Sequence, residues 1–219
     1  MLHPNPPACL FGDIKSFLNP TVGKMLEQVP DSEMLNVLGP IIETAPARAV
    51  KTSAYCKRHT GICNIPNSKI HISGTPCTDY SHMGREAHES GPTMLLFLTW
   101  AGIRLQTQEA IIVHENVRAF PVTLLARFFG SLYYIDTCVE DSLHFGWPVR
   151  RSRRYRISRH RAKTLAQRHP LSVFTTMFHR ACKAGWDIFL VASDEQRACD
   201  VAWAPNRPSK QTETEADMA

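Results

Sequence analysis

The sequence predicts an α/β protein built around an open sheet of the doubly wound type. Segments with strand-like and helix-like patterns alternate along residues 8–157, and polar residues follow several of the predicted strands. Hydrophobic residues make up 43% of the 219 residues and charged residues 21%, which is ordinary for a globular protein. A chain of this length can bury one substantial core.

The predicted elements follow from apolar runs and from the turn residues between them. Gly91 and Pro92 precede a stretch with helical spacing, and Gly74-Thr75-Pro76 forces a turn after a strand. Prolines interrupt the chain repeatedly between about residues 20 and 68, so we interpret this stretch as an insertion. The predicted strands cover residues 8–11, 69–73, 110–113, 132–138 and 149–157, and the predicted helices cover residues 91–106 and 121–129.

Composition argues against membrane and secreted classes of protein. The longest apolar stretch, residues 94–103, is shorter than the ~20 residues that a membrane-spanning helix needs. The first residues lack the basic start and apolar run of a secretory signal. We therefore expect no membrane partner and an intracellular location, the nucleus in a eukaryote and otherwise the cytoplasm. Seven scattered cysteines suggest reduced thiols rather than a disulfide framework.

Cys77 is the first candidate for a chemical role. It follows the Gly74-Thr75-Pro76 turn at the end of a predicted strand, a constrained position that can present a thiolate as a nucleophile. A single Pro-Cys pair is also compatible with a buried structural cysteine, because free cysteines are often buried. The pair by itself therefore leaves both interpretations open.

Four further motifs accompany Cys77 in a fixed order. The four motifs are Gly12-Asp13-Ile14, Glu115-Asn116-Val117, residues 132–134, and Gly146-Trp147-Pro148 leading into Arg151 and Arg153. Ser81, four positions after the cysteine, belongs to the Cys77 motif itself. Over residues 8–157 this order resembles the cytosine-5 DNA methyltransferase family. The resemblance implies an incomplete Rossmann-like S-adenosylmethionine-dependent methyltransferase sheet, because the family's Phe-x-Gly-x-Gly turn and its last motifs are not seen.

The resemblance also implies a role for each matching residue. Cys77 would add to carbon 6 of cytosine, and Glu115 would share a proton with ring nitrogen 3. Methyl transfer from S-adenosylmethionine to carbon 5 would follow. The remaining matches would contact the flipped base and its phosphate (Arg151, Arg153), hold the cofactor (Asp13, Pro76) and support the loops (Ser81, Asn116).

Seven arginines occur between residues 150 and 161, and they mark the main focus of the +5 formal charge. On a strand, Arg151 and Arg153 would project from one face because side chains alternate. The other arginines would contact the nucleic-acid backbone, giving sequence-independent and salt-sensitive affinity. They are Arg150, Arg154, Arg156, Arg159 and Arg161. The alternative is an ordinary solvated surface.

The predicted organisation has three parts. Residues 1–165 would form a partial methyltransferase catalytic domain, residues 166–204 a partial target-recognition region, and residues 205–219 a polar disordered tail. The expected partner is DNA, with RNA as an alternative, and the chain could pair with the missing part of a longer or split enzyme.

Three alternatives remain beside a DNA methyltransferase. One is a non-catalytic nucleic-acid-binding remnant, and another is a relative that methylates transfer RNA. The third is a cysteine hydrolase, which would need a histidine base such as His82 or His114. Cys56, His59 and Cys63, with His71 and His82 further on, fit no standard zinc spacing, so no metal site is predicted.

Overall fold

The computed structural model describes residues 8–81, 83–165 and 171–183 of the chain. The predicted tail at residues 205–219 and most of the predicted target-recognition region lie outside these residues. Among the described helices, none is both long enough and apolar enough to cross a membrane.

The N-terminal part is a helical layer followed by a hairpin. Residues 8–11 do not form the predicted strand: Leu10 is half exposed, and Phe11 makes only an isolated bridge to Cys56. The proline-rich stretch that we interpreted as an insertion is largely helical, because Pro20 and Pro46 occupy first turns, where no backbone donor is lost. Its elements are helices α1 (Pro20–Leu26), α2 (Met34–Thr44) and α3 (Pro46–Ala49), then antiparallel strands β1 (Ser53–Cys56) and β2 (Gly61–Asn64).

The central sheet has four strands in the order β3-β4-β6-β5. β3 and β4 are parallel, and β6 lies antiparallel between β4 and β5, so the sheet is mixed. Its strands are β3 (Ile70–Gly74), β4 (Ile111–Asn116), β5 (Tyr133–Glu140) and β6 (Arg153–His160). The α/β class is confirmed. We call the edge where β3, β4 and β5 end and β6 begins the carboxyl edge.

Two helices cover one face of the sheet. Helix α4 (Thr93–Thr107) is buried on nearly every side, between the sheet and α2, and helix α5 (Val122–Phe129) packs beside it. Trp100 of α4 and Phe120 both contact the ring of His114 on β4. The short helix α6 (Leu171–Thr176) contacts β5, and together with Val113 and Ile157 it lines a cavity on the opposite face.

Candidate active site

The carboxyl edge collects the predicted base-modifying residues. β3 ends at Gly74, three residues before Cys77, and Gly74 is paired with Glu115 near the end of β4. Arg153 is the first residue of β6, which runs beside β4 in the opposite direction. Cys77, Glu115 and Arg153 therefore lie at one edge of the sheet, where open α/β sheets bind their ligands.

Glu115 and Arg153 form an ion pair at this edge. Arg153 Nε lies 3.1 Å from Glu115 Oε1, and the two side chains are 21% and 35% exposed, respectively. The carboxylate also lies directly over Gly74, because a β-carbon on that glycine would be only 3.1 Å from Glu115 Oε2. Glycine at position 74 thus leaves room for the Glu115 carboxylate beside the turn that carries Cys77.

A buried hydrogen-bond chain holds the turn before Cys77. Asn116 Nδ2 donates to the Thr75 carbonyl at 3.1 Å and to Thr75 Oγ1 at 2.9 Å. His114 Nε2 is also 2.9 Å from Thr75 Oγ1, and Arg156 lies 3.4 Å from His114 Nδ1. Because a guanidinium can only donate, Nδ1 accepts and Nε2 carries the ring hydrogen. The structure therefore gives Asn116 and His114 the same task, which is to fix Thr75.

His114 stays neutral in this position. Burial, helped by the positive charge of Arg156, lowers the pKa of His114 to about 3, and its side chain is fully buried. Its hydrogen bond to Thr75 and its contact with Arg156 occupy both ring nitrogens. The histidine at the end of β4 therefore supports the Cys77 turn and does not act as the base of a cysteine hydrolase. His82, the other histidine considered, lies outside the described residues.

The loop after Cys77 is anchored by a residue that the sequence did not single out. Asp79 is fully buried, and its carboxylate accepts hydrogen bonds from Arg85 Nε and from the backbone N–H and hydroxyl of Thr93, at 2.8, 2.8 and 2.5 Å. Burial raises the pKa of Asp79, but these hydrogen bonds outweigh it and the pKa is lowered. Asp79 thus fastens the loop to the first turn of α4, where a negative charge is favourable.

Gly91 makes room for this anchor. A β-carbon at position 91 would lie 2.1 Å from Asp79 Cγ, which is far below van der Waals contact. Ser81, predicted to support the same loop, accepts a hydrogen bond from Gly84 N at its carbonyl and one from Met83 N at its hydroxyl. The loop between Cys77 and α4 is therefore tied down by Asp79 and Ser81.

Replacing Asp79 by alanine is expected to lower the free energy of unfolding by about 3 kcal/mol, because two buried donors of Thr93 lose a charged acceptor. A change of this size lowers the Tm of a chain of this length by about 10 °C. Thermal denaturation followed by circular dichroism measures it. Asp136→Ala removes a partly exposed ion pair with Arg159 and is the control, expected to cost about 1 kcal/mol. Equal losses in the two variants would contradict the anchoring role.

The seven arginines between residues 150 and 161 do not all lie where the sequence predicts. Arg151 lies in the coil before β6 and is exposed, so strand alternation does not place it beside Arg153. The prediction of a backbone contact is wrong for Arg156, which is fully buried, donates to the Phe120 carbonyl and stacks over the Phe120 ring. Burial lowers the pKa of Arg156 to about 10. Because side chains alternate along β6, one arginine of the run had to point into the core.

The last two arginines of the run lie at the other end of the sheet. Arg159 pairs in register with Ile111, the first residue of β4, and its guanidinium binds Asp136 at 2.8 Å. Arg161 lies over the ring of Tyr134 and donates to the Gly130 carbonyl. Four residues of strand span about 13 Å, so Arg159 and Arg161 are remote from Cys77 and Glu115.

Three exposed arginines, Arg118, Arg150 and Arg151, remain beside the carboxyl edge. Arg150 and Arg118 line a cleft of about 400 Å³ that also includes Glu140 and Asp141. Arg118 lies two residues after the end of β4 and was missed, because it stands alone in the sequence and not within a charged run. Arg154 is partly buried and donates to the Phe120 carbonyl at 3.3 Å. Arg118, Arg150 and Arg151 are therefore the arginines best placed to meet an anionic strand at this edge.

Comparison with known proteins identifies the family of the chain. Residues 49–218, more than half of the chain, match the family model of the C-5 cytosine-specific DNA methylases. The chain belongs to this family. Among curated proteins, no relative matches the chain.

Three solved methyltransferase structures are similar to part of this chain. The S. pombe Dnmt2 methyltransferase is 18% identical with a TM-score of 0.41, covering 54% of this chain and 38% of its own. Spodoptera frugiperda DNMT2 is 20% identical with a TM-score of 0.37, and the match covers 48% of this chain and 34% of that one. The Entamoeba histolytica methyltransferase EhMeth is 20% identical with a TM-score of 0.32, and the match covers 48% of this chain and 36% of that one. The chain spans about a third of the length of these structures.

The two cofactor residues predicted for this methylase chain are not brought together. Asp13 is exposed and caps a short 3-10 turn (Ile14–Phe17), accepting a hydrogen bond from Lys15 N. Its neighbours Phe11 and Ile14 line a cavity with Ser68 and His71, at the start of β3. Pro76, in contrast, follows the end of β3. Asp13 and Pro76 therefore do not form one cofactor pocket within the described residues.

Proposed function

We propose that this chain carries the base-modifying residues of a cytosine-5 methyltransferase that acts on DNA through a covalent cysteine adduct. The observation that supports the proposal most strongly is that the turn carrying Cys77 follows a strand paired with the end of β4, where Glu115 forms its ion pair with Arg153, in a chain of this family. In the family the methyl group comes from S-adenosylmethionine, and this donor is proposed here from the family alone.

Cys77 is the nucleophile in the proposed reaction. Its thiolate forms a bond to carbon 6 of cytosine, and the electron pair of the ring double bond moves toward carbon 5 and ring nitrogen 3. Glu115, which Arg153 binds as a carboxylate and which must first take up a proton, then shares that proton with nitrogen 3 and so balances the developing charge. Methyl transfer to carbon 5 would release S-adenosylhomocysteine. A water molecule would then take the proton from carbon 5, the electron pair of that bond would restore the ring double bond, and the thiolate would leave carbon 6 while nitrogen 3 returns its proton to Glu115.

The other residues of the edge position these two groups. Arg153 binds the Glu115 carboxylate at 3.1 Å and fixes its orientation. Asn116 and His114 hold Thr75, and Asp79 holds the loop that follows, so both sides of Cys77 are fixed before the base enters. Arg118, Arg150 and Arg151 would bind phosphates of the DNA backbone beside the flipped base.

Trapping with a modified substrate tests the proposed function. The chain is incubated with S-adenosylmethionine and duplex DNA containing 5-fluorocytosine, in which fluorine replaces the proton whose loss releases the cysteine. We expect a DNA adduct that survives denaturing electrophoresis, and no adduct with transfer RNA carrying the same base. An adduct with the RNA alone would overturn DNA as the substrate. Salt-dependent DNA binding without any adduct would contradict catalysis and favour the non-catalytic remnant.

A further inference from the structure

Four potential metal ligands meet at a place that the sequence spacing does not reveal. Cys9, Cys56, His59 and Cys63 each offer one ligand atom, and these four atoms all lie within 4.8 Å of one another. Cys9 is 47 positions away from the nearest of the others in the sequence, which explains why no standard motif is recognisable. The cluster lies at the β1–β2 hairpin and is separate from the carboxyl edge.

The distances within the cluster are those of ligands around one ion. His59 Nδ1 lies 3.3 Å from Cys63 Sγ, 3.5 Å from Cys56 Sγ and 3.8 Å from Cys9 Sγ. In a tetrahedral zinc site the bond lengths place nitrogen and sulphur ligands about 3.6 Å apart. Hydrogen bonding does not explain the convergence, because one imidazole nitrogen either donates one hydrogen or accepts through one lone pair.

The backbone around the cluster is arranged to support thiolates. The N–H groups of Leu10, Arg58 and His59 are directed at the sulphur of Cys56, with the Leu10 nitrogen at 3.3 Å. Such donors stabilise sulphur ligands of metals and orient them. Cys56 is fully buried, and Cys9 and Cys63 are partly buried. Three thiolates and one imidazole fill four positions, which is the closed ligand set of a structural site.

We propose that Cys9, Cys56, His59 and Cys63 bind a structural zinc ion that fastens the segment before Asp13 to the β1–β2 hairpin. The need for such a fastening is visible in the fold. The hairpin has strands of only four residues, and an isolated hairpin of two strands is marginal in water. The segment around Cys9 is joined to it by the backbone hydrogen bond from Lys57 N to the Leu10 carbonyl and by the Phe11 bridge to Cys56.

Metal analysis of the purified chain tests the proposal directly. We expect one equivalent of zinc per chain, and replacement by Co²⁺ should give the visible bands of a tetrahedral cobalt site with thiolate ligands. Cys9→Ser removes one of the four ligands and should lose most of the zinc. Cys9 lies outside the hydrophobic core, so we expect the rest of the fold to remain intact. Cys138→Ala, which removes a buried cysteine of β5 instead, is the control and should keep the full equivalent.

A second measurement follows the fastening itself. Removing zinc with a chelator should speed tryptic cleavage at Lys15 and Lys57 in the chain, and adding zinc back should restore protection. Zinc content below one tenth of an equivalent in the protein purified without chelators, with no cobalt spectrum after reconstitution, would overturn the proposal. So would a disulfide between two of the three cluster cysteines, identified by peptide mapping of the protein under non-reducing conditions.

Discussion

Cys77→Ser is expected to abolish the covalent adduct with DNA containing 5-fluorocytosine, lowering its rate of formation by about 10³-fold or more. A serine hydroxyl at this position would need a base to become nucleophilic, whereas a thiol reaches the reactive anion far more readily. The histidine of β4, His114, cannot act as that base because its ring nitrogens contact Thr75 and Arg156. Denaturing electrophoresis with labelled DNA measures the adduct over time.

Cys138→Ala is the control for this variant. Cys138 is also a cysteine of the central sheet region, but it lies on β5 beneath α6, away from the turn that carries Cys77. The control is expected to form adduct at the rate of the unchanged chain. Adduct formation by Cys77→Ser at that same rate would show that Cys77 is a structural cysteine.

Glu115→Gln is expected to slow adduct formation by about 10²-fold or more, within the usual contribution of a proton-transferring group. The amide retains the size of the side chain and can still accept a hydrogen bond from Arg153, so the fold is preserved. It cannot transfer a proton to ring nitrogen 3. The rate is measured in a single turnover with the chain in excess over DNA.

The chain offers a closely matched control for Glu115. Glu43 is also paired with an arginine, Arg127, and its side chain is 32% exposed against 35% for Glu115. Glu43 lies on α2, outside the carboxyl edge, so Glu43→Gln should leave the rate unchanged. If both variants react at the rate of the original chain, Glu115 has no role in proton transfer.

The central sheet was predictable because its strands are short apolar runs bounded by turn residues. Residues 69–73, 110–113 and 132–138 were placed close to the observed β3, β4 and β5. Local pattern could not show that β6 lies antiparallel between β4 and β5, because strand order depends on long-range pairing. The run at residues 8–11 was mistaken for a strand since apolar character alone does not supply a pairing partner.

The candidate site was predictable only in part, for a similar reason. Cys77 and Glu115 stand in short motifs whose order is visible along the chain. Asp79 and His114 act through contacts with Thr93 and Thr75, 14 and 39 residues away, so the local sequence does not indicate their supporting roles. Arg156 looked like its neighbours in a basic run, and only the alternation of a specific strand shows that it points inward.

The location of the adduct tests the central claim most directly. Trypsin cleaves after Lys69 and Arg85, and the peptide 70–85 contains Cys77 as its only cysteine. After nuclease and trypsin digestion of the trapped complex, mass spectrometry should find the modified nucleotide on this peptide, at Cys77. The same modification on a peptide carrying another cysteine would contradict the assignment of Cys77 as the nucleophile.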